Sequence, residues 1–154
     1  MEKDGGFLQV ATERLRGGEW CHEIDRLSRQ GLEIVLIKKG MIRCNFVLPR
    51  HLSDVNGNWH AGAVASLIDI VAAAAITSVT GTINVTVDFN ISYFSTVKIN
   101  EEVEIEAKVV GNQGKFVSVT VEIRRKDNGE LVVSAKQWTV LTKLSPAMTP
   151  PSKL

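Results

Sequence analysis

The stretch Ala61-Gly62-Ala63-Val64-Ala65-Ser66-Leu67-Ile68-Asp69-Ile70-Val71-Ala72-Ala73-Ala74-Ala75-Ile76-Thr77-Ser78-Val79 decides the architecture. Its length and apolarity raise a transmembrane reading. Physical cost argues against it. Asp69 lies near the midpoint, where a carboxylate costs roughly 2.5 to 3.5 kcal/mol on insertion scales, and Ser66, Thr77 and Ser78 dilute the hydrophobicity further. The alternative is a helix buried by protein on nearly all sides, which is equally apolar around its circumference. Gly81 is placed to end it.

Outward from the helix the period changes from 3.6 to two. On the N-terminal side, Glu33 to Ile37 and Met41 to Val47 are β-prone runs separated by Lys38-Lys39-Gly40, a hairpin pattern. Pro49 to Trp59 has the composition of a loop. On the C-terminal side, Val85, Val87, Phe89, Ile91 and Tyr93 alternate with Asn84, Thr86, Asp88, Asn90 and Ser92, predicting a strand with one buried face and Thr86 on the polar phase. Val103 to Val109, Val117 to Ile123 and Leu131 to Leu141 continue the pattern, with turns at Gly111 to Gly114 and at Asp127-Asn128-Gly129. The spacing predicts that the strands after the helix form an antiparallel meander of four. About six strands curled around one long helix would bury its whole surface. That is an α+β architecture, the hotdog fold, with no parallel crossovers.

At 154 residues, 44% hydrophobic and 23% charged, the chain has the size and composition of one globular domain. The expected organisation is an N-terminal helical segment over 1–30, a hotdog domain over 31–145 and a C-terminal tail over 146–154. Short helices are expected from Phe7 to Leu15 and from Glu19 to Leu27. A net charge of +1, without a long run of one sign, gives no reason to expect nucleic acid or an anionic membrane as partner. Cys21 and Cys44 form no C-x-x-C pair, and His22, His51 and His60 show no metal-ligand spacing, so neither a disulfide framework nor a metal site is expected. The beginning, Met1 to Gly6, lacks the basic and apolar runs of a secretory signal. The end, Ser152-Lys153-Leu154, matches the tripeptide read by the peroxisomal import receptor, which makes the peroxisome the expected compartment.

Chemistry is expected around Asp69, because an ionisable group in a buried helix is costly unless a cleft solvates it or a partner pairs with it. Asn58-Trp59-His60-Ala61-Gly62 places small residues at the helix start, where free N–H groups and the dipole favour developing negative charge. From Ala61 to Asp69 is about 12 Å of helix rise, too far for both to touch one carbonyl. If both act on one substrate, the helix start of one subunit must face the helix middle of another. Thr86 is a candidate to orient a water near Asp69, or else a β-branched residue serving the strand. Gly111 to Lys115 has the wrong spacing for a phosphate loop, and Arg124, Arg125 and Lys126 read either as a solvated strand end or as contacts to phosphate.

Taken together, Gly57 to Ala63, then Leu67-Ile68-Asp69, then Val85-Thr86-Val87-Asp88-Phe89-Asn90-Ile91-Ser92-Tyr93 resemble the hotdog acyl-CoA thioesterases, in particular their small type, across roughly residues 32 to 142. The resemblance implies hydrolysis of an acyl-CoA thioester, with no cofactor, since coenzyme A is part of the substrate. It gives Asp69 the role of general base or nucleophile and gives Thr86 the positioning of water. The N–H of Ala61, with that of Gly62, polarises the carbonyl across a subunit interface. Asp54, Asn56 and His60 are the implied substrate-side residues, with His60 shaping the turn. A homodimer or a homotetramer built as a dimer of dimers is implied as well. Two departures stand out. The family's H-G-G is His60-Ala61-Gly62 here, and Asp54 stands where relatives often carry Asn; an ionised Asp accepts hydrogen bonds but does not donate them. A hotdog enoyl-CoA hydratase fits less well, because no histidine follows Asp69, and a non-catalytic CoA-thioester binding module is the remaining alternative.

Overall fold

The structure, a computed structural model, describes residues 2–17, 21–82 and 84–141, with side chains from residue 5 onward. The Ser152-Lys153-Leu154 terminus lies outside the described residues. Two helices, α1 (Glu2–Arg16) and α2 (Glu23–Ser28), lead into the hairpin of β1 (Glu33–Lys38) and β2 (Met41–Val47). After a 3-10 turn at Arg50–Leu52 comes the long helix α3 (Ala61–Thr80), followed by β3 (Val85–Tyr93), β4 (Glu102–Gln113), β5 (Phe116–Arg125) and β6 (Leu131–Val140).

The six strands form one sheet in the order β1-β2-β4-β5-β6-β3, every neighbouring pair antiparallel. This corrects the expected four-strand meander. Only β4, β5 and β6 follow one another, while β3 is carried to the far edge beside β6. The segment joining β3 to β4 explains the difference. It does not fold β4 back onto β3 and is tied instead to the loop before α3, through Trp59 N–H to the Val97 carbonyl at 2.7 Å and Ile99 N–H to the Gly57 carbonyl at 3.1 Å. Alternation reports that a strand exists and which residues share a face; it carries no information about the neighbour.

The concave face of the sheet takes α3. Leu67, Ile68, Val71 and Ala75 pack against Ile42, Phe46, Ile105, Val119 and Ile123, all essentially without solvent exposure. The leucine and isoleucine positions among them cost about 2–5 kcal/mol each when cut back to Ala. The helix is not, however, wrapped on all sides by strands as the sequence suggested. A sheet covers one side of a helix, and a second layer must cover the other. Here α1 supplies that layer over the C-terminal half only: Ala11 and Leu15 are buried, Arg14 Nη1 donates to Thr77 Oγ1 at 3.1 Å, and the Phe7 ring lies where a Cβ on Gly81 would be. Gly81 ends the helix in the left-handed conformation at φ 70°, its N–H on the Thr77 carbonyl. Residues Ala74 to Ser78 are consequently all buried, whereas Ala61, Gly62 and Asp69 are exposed and Ser66 and Ile70 half-buried. These open residues recur at helical spacing and form one stripe along the N-terminal half of α3.

Candidate active site

A β-bulge sets the site. Along β3 and β6 the register runs Tyr93 with Val133, Ile91 with Ala135 and Phe89 with Gln137, then shifts between Asp88 and Thr86 so that Thr86 faces Thr139. Residues directly opposite one another in an antiparallel pair share a face. Val133, Ala135, Gln137 and Thr139 are the buried phase of β6. Thr86 therefore stands on the inner face with Phe89, Ile91 and Tyr93, and Val85 and Val87 are turned outward, 50% and 56% exposed. The expected uniform alternation along β3 is thus broken at Val87. A bulge re-aims a side chain in this way by adding one residue to one strand.

Gln137 joins Thr86 to Asp69. It is 2% exposed, and its Nε2 donates to Asp69 Oδ1 at 2.8 Å and to Thr86 Oγ1 at 2.6 Å. The carboxylate only accepts, which fixes the amide with its nitrogen toward Asp69. Both amide hydrogens are then used. Asp69 keeps Oδ2 uncommitted among the described residues, and Thr86, having accepted at its oxygen, keeps its own proton to give. Sequence reading missed Gln137, yet a signal was there: in Leu131 to Leu141 it is a long polar side chain on the phase of Val133 and Ala135.

At the start of α3, His60 is the N-cap, and its ring Nδ1 accepts the Gly62 N–H at 3.0 Å. A Cβ on Gly62 would lie 3.1 Å from His60 Cε1, so the missing side chain is what lets the imidazole fold over the turn. Of the two amides implied as donors, Gly62 is engaged by the cap, while among the described residues Ala61 N–H has no acceptor. Tyr93, from the inner face of β3, donates its hydroxyl to the Ala61 carbonyl at 2.8 Å, and burial raises its pKa, keeping it a donor. Asp54 organises the preceding loop: its Oδ1 accepts the N–H groups of Asn56 and Asn58 at 2.8 and 3.0 Å. The Asn56 side chain is exposed, next to Gly57 at φ 77°.

Asp69 has no ion pair among the described residues. Arg14 feels its charge: burial lowers the guanidinium from its ordinary pKa, offset in part by the charges of Asp69 and Asp25. Arg124, Arg125 and Lys126 are held by Glu122, by Glu101 and Glu130, and by Glu104 respectively, so the strand-end reading describes them. No three His, Cys, Asp or Glu side chains among the described residues gather as a metal would require. Three buried polar side-chain atoms lack a partner among the described residues: Asn58 Oδ1, Trp59 Nε1 and Gln137 Oε1. Two of them precede the start of α3 and the third belongs to the group that holds Asp69. Buried polar groups are normally paired, so this grouping marks the region as one whose polar atoms serve something besides the fold.

Comparison with known proteins finds thioesterases. The family model described as Thioesterase superfamily matches residues 56–132. Acyl-coenzyme A thioesterase 13 of Homo sapiens is 29% identical over 107 residues, covering 68% of this chain and 76% of that protein. The crystal structure of zebra fish thioesterase superfamily member 2 superposes with a TM-score of 0.72 at 25% identity, covering 78% of this chain and 94% of the other. A hypothetical thioesterase protein of Streptococcus pneumoniae, solved with coenzyme A, shares the fold at a TM-score of 0.71 and 22% identity, covering 77% and 91%.

Proposed function

The chain belongs to the thioesterase superfamily, whose model spans residues 56–132, half of its length, and on that premise we propose that it hydrolyses acyl-CoA thioesters at Asp69. The observation that carries the reading is the Gln137 bridge. Asp69 is held through Oδ1 alone, beside a hydroxyl whose proton is free. A water between Asp69 Oδ2 and Thr86 Oγ1 gives one proton to the carboxylate and accepts one hydrogen bond from the threonine, which turns its remaining lone pair outward. Water attacks the thioester carbon as its proton passes to Asp69. The resulting oxyanion is stabilised by an amide donor. Collapse expels the CoA thiolate, and the proton held by Asp69 passes to sulfur. A thioester needs no Ser or Cys nucleophile for this sequence. Gln137 touches neither water nor substrate in it and is a positioning residue.

The amide donor comes from a second copy. Ala61 N–H and Asp69 are separated by about 12 Å on one helix, and both lie on the open stripe of α3. A two-fold axis beside that stripe brings the start of one α3 to the middle of the other and yields two equivalent sites. Support comes from β3, an edge strand of nine residues whose outer edge is unpaired in a single chain and is a template for strand addition. A dimer is therefore the minimum assembly, with a dimer of dimers as its extension. Thiol release from a panel of fatty, branched and aromatic acyl-CoAs tests the activity: turnover that vanishes in Asp69→Asn supports it, and turnover unchanged in that variant contradicts it. Delivery to the peroxisome through Ser152-Lys153-Leu154 is a separate proposal. A fluorescent protein fused ahead of the chain should gather in peroxisomes and become diffuse when Leu154 is removed; identical distributions would sink it.

A further inference from the structure

Strand β3 is fastened to the start of α3 by a single side chain. Tyr93, on the inner face of β3 opposite Val133, donates its hydroxyl to the Ala61 carbonyl at 2.8 Å. Among the described residues this is the one hydrogen bond that joins β3 directly to α3. The carbonyl belongs to the peptide between Ala61 and Gly62, whose N–H is itself given to His60 Nδ1 at 3.0 Å. One peptide unit is thus clamped from both sides, by a phenol of the sheet on its oxygen and by the cap on its nitrogen. Hydrogen bonds chained in this way polarise one another. The preceding peptide carries the Ala61 N–H, which has no acceptor among the described residues. Stability alone does not account for the Tyr93 bond. The start of α3 is already held by the His60 cap and by the N–H groups of Trp59 and His60, on the carbonyls of Val97 and Leu52. Tyr93 is 47% exposed, so burial rewards its placement only weakly. What the bond adds is direction.

The other end of β3 holds the acid, since Thr86 and Asp69 accept from the same Gln137 amide. One strand therefore carries an amide half-site at its Tyr93 end and an acid half-site at its Thr86 end. Antiparallel pairing of two β3 strands about Phe89, the middle of the nine residues Val85–Tyr93, exchanges those ends. The Tyr93 end of one strand then lies against the Thr86 end of the other, as the shared site requires. We propose that Tyr93 is a positioning residue for the reaction, setting the Ala61 amide of its own chain against the acid of the second copy. This rests on the thioesterase reading and on its shared site. Ala61 takes no positive φ, so the alanine in place of the family's glycine is unstrained. The donor is aimed by its neighbours rather than by backbone freedom.

Tyr93→Phe keeps the ring and removes the bond. In homodimers it should lower kcat by about 2- to 12-fold, what one uncharged hydrogen bond is worth, with KM and the thermal midpoint close to those of the wild type. An unchanged kcat would overturn the assignment. Thiol release by the wild type tests the thioesterase reading separately, before any variant is compared. Subunit mixing then separates aiming of the amide from a general loosening. When Tyr93→Phe is refolded with Asp69→Asn, each mixed dimer has one live site. It is built from the acid of the Tyr93→Phe chain and the amide of the Asp69→Asn chain, whose tyrosine is intact. That site should turn over at the wild-type rate. Turnover there at the slow rate of the Tyr93→Phe homodimer would mean that Tyr93 acts on the acid of its own chain or on the fold, and the assignment would fall. Mixed dimers with no turnover at all would refute the shared site and this assignment with it. Exchange of the Gly62 amide in D2O, followed by NMR, reads the clamp without catalysis: faster exchange in Tyr93→Phe supports it, and equal exchange contradicts it.

Discussion

The two halves of α3 have nearly the same composition and opposite surroundings. Beyond Ala73 the helix is enclosed, by the sheet on one side and by α1 on the other, and even Thr77 and Ser78 are buried with their hydroxyls bonded to the backbone carbonyls of Ala73 and Ala75. Before Ala73 the sheet side is equally well packed, but the opposite side carries Gly62 and Asp69 in the open and Ser66 half-buried between them. Uniform apolarity is thus a product of two different requirements. One half is apolar because protein covers it within the chain. The other is small and apolar around a single acid, the surface against which the proposed second copy would lie.

Substitutions in the two halves should separate stability from turnover. Ile76→Ala, in the enclosed half and 1% exposed, should cost about 2–5 kcal/mol in urea unfolding, with turnover per folded molecule nearly unchanged. Asp69→Asn should do the reverse, lowering kcat by at least ~100-fold while shifting stability by no more than about 0.5 kcal/mol, as exposed sites do. Gln137→Leu should lower kcat by ~10-fold, the lower end of what a hydrogen bond to a charged group is worth, with KM little changed; a fall in KM-dependent binding alone would remove its positioning role. Gly62→Ala should cost about 1 kcal/mol by displacing the His60 cap, visible in the midpoint of thermal unfolding. The smallest effect concerns the thiols. Burial pushes Cys44 up to about 12, so a thiol reagent at pH 8 should modify half-buried Cys21 in the native protein and leave Cys44 until unfolding; rapid labelling of both would mean the sheet side opens readily.

Much of this was legible in residue order. The helix from Ala61, its end at Gly81, the β1–β2 hairpin and the turn at Asp127-Asn128-Gly129 announce themselves through period and turn chemistry, and Asp69 stands out because charge is rare in such a run. Strand order was not legible, since β3 pairs with a strand some forty residues later in the chain and alternation does not encode partners. The bulge at Val87 was hidden because nothing but cross-strand register defines it, and it reverses the face of Thr86. Burial of Asp69 was overestimated for a related reason: apolar neighbours in sequence do not say whether the cover is supplied by the same chain. Gln137 was readable in principle as a polar intrusion on an inward phase. The sequence could not tell that it reaches an acid 68 residues away.

The claim on which the mechanism turns is that Asp69 of one copy works with the Ala61 amide of another, and subunit mixing addresses it directly. Asp69→Asn removes the base, and Ala61→Pro removes the one N–H at a helix position where proline is tolerated. Each variant alone should be nearly inactive. When the two are unfolded together in equal amounts and refolded, half the dimers are mixed, and one of the two sites in each mixed dimer is intact, so activity should return to about a quarter of the wild-type value. Mixed dimers that form and stay inactive would mean that the amide and the acid do not meet across copies.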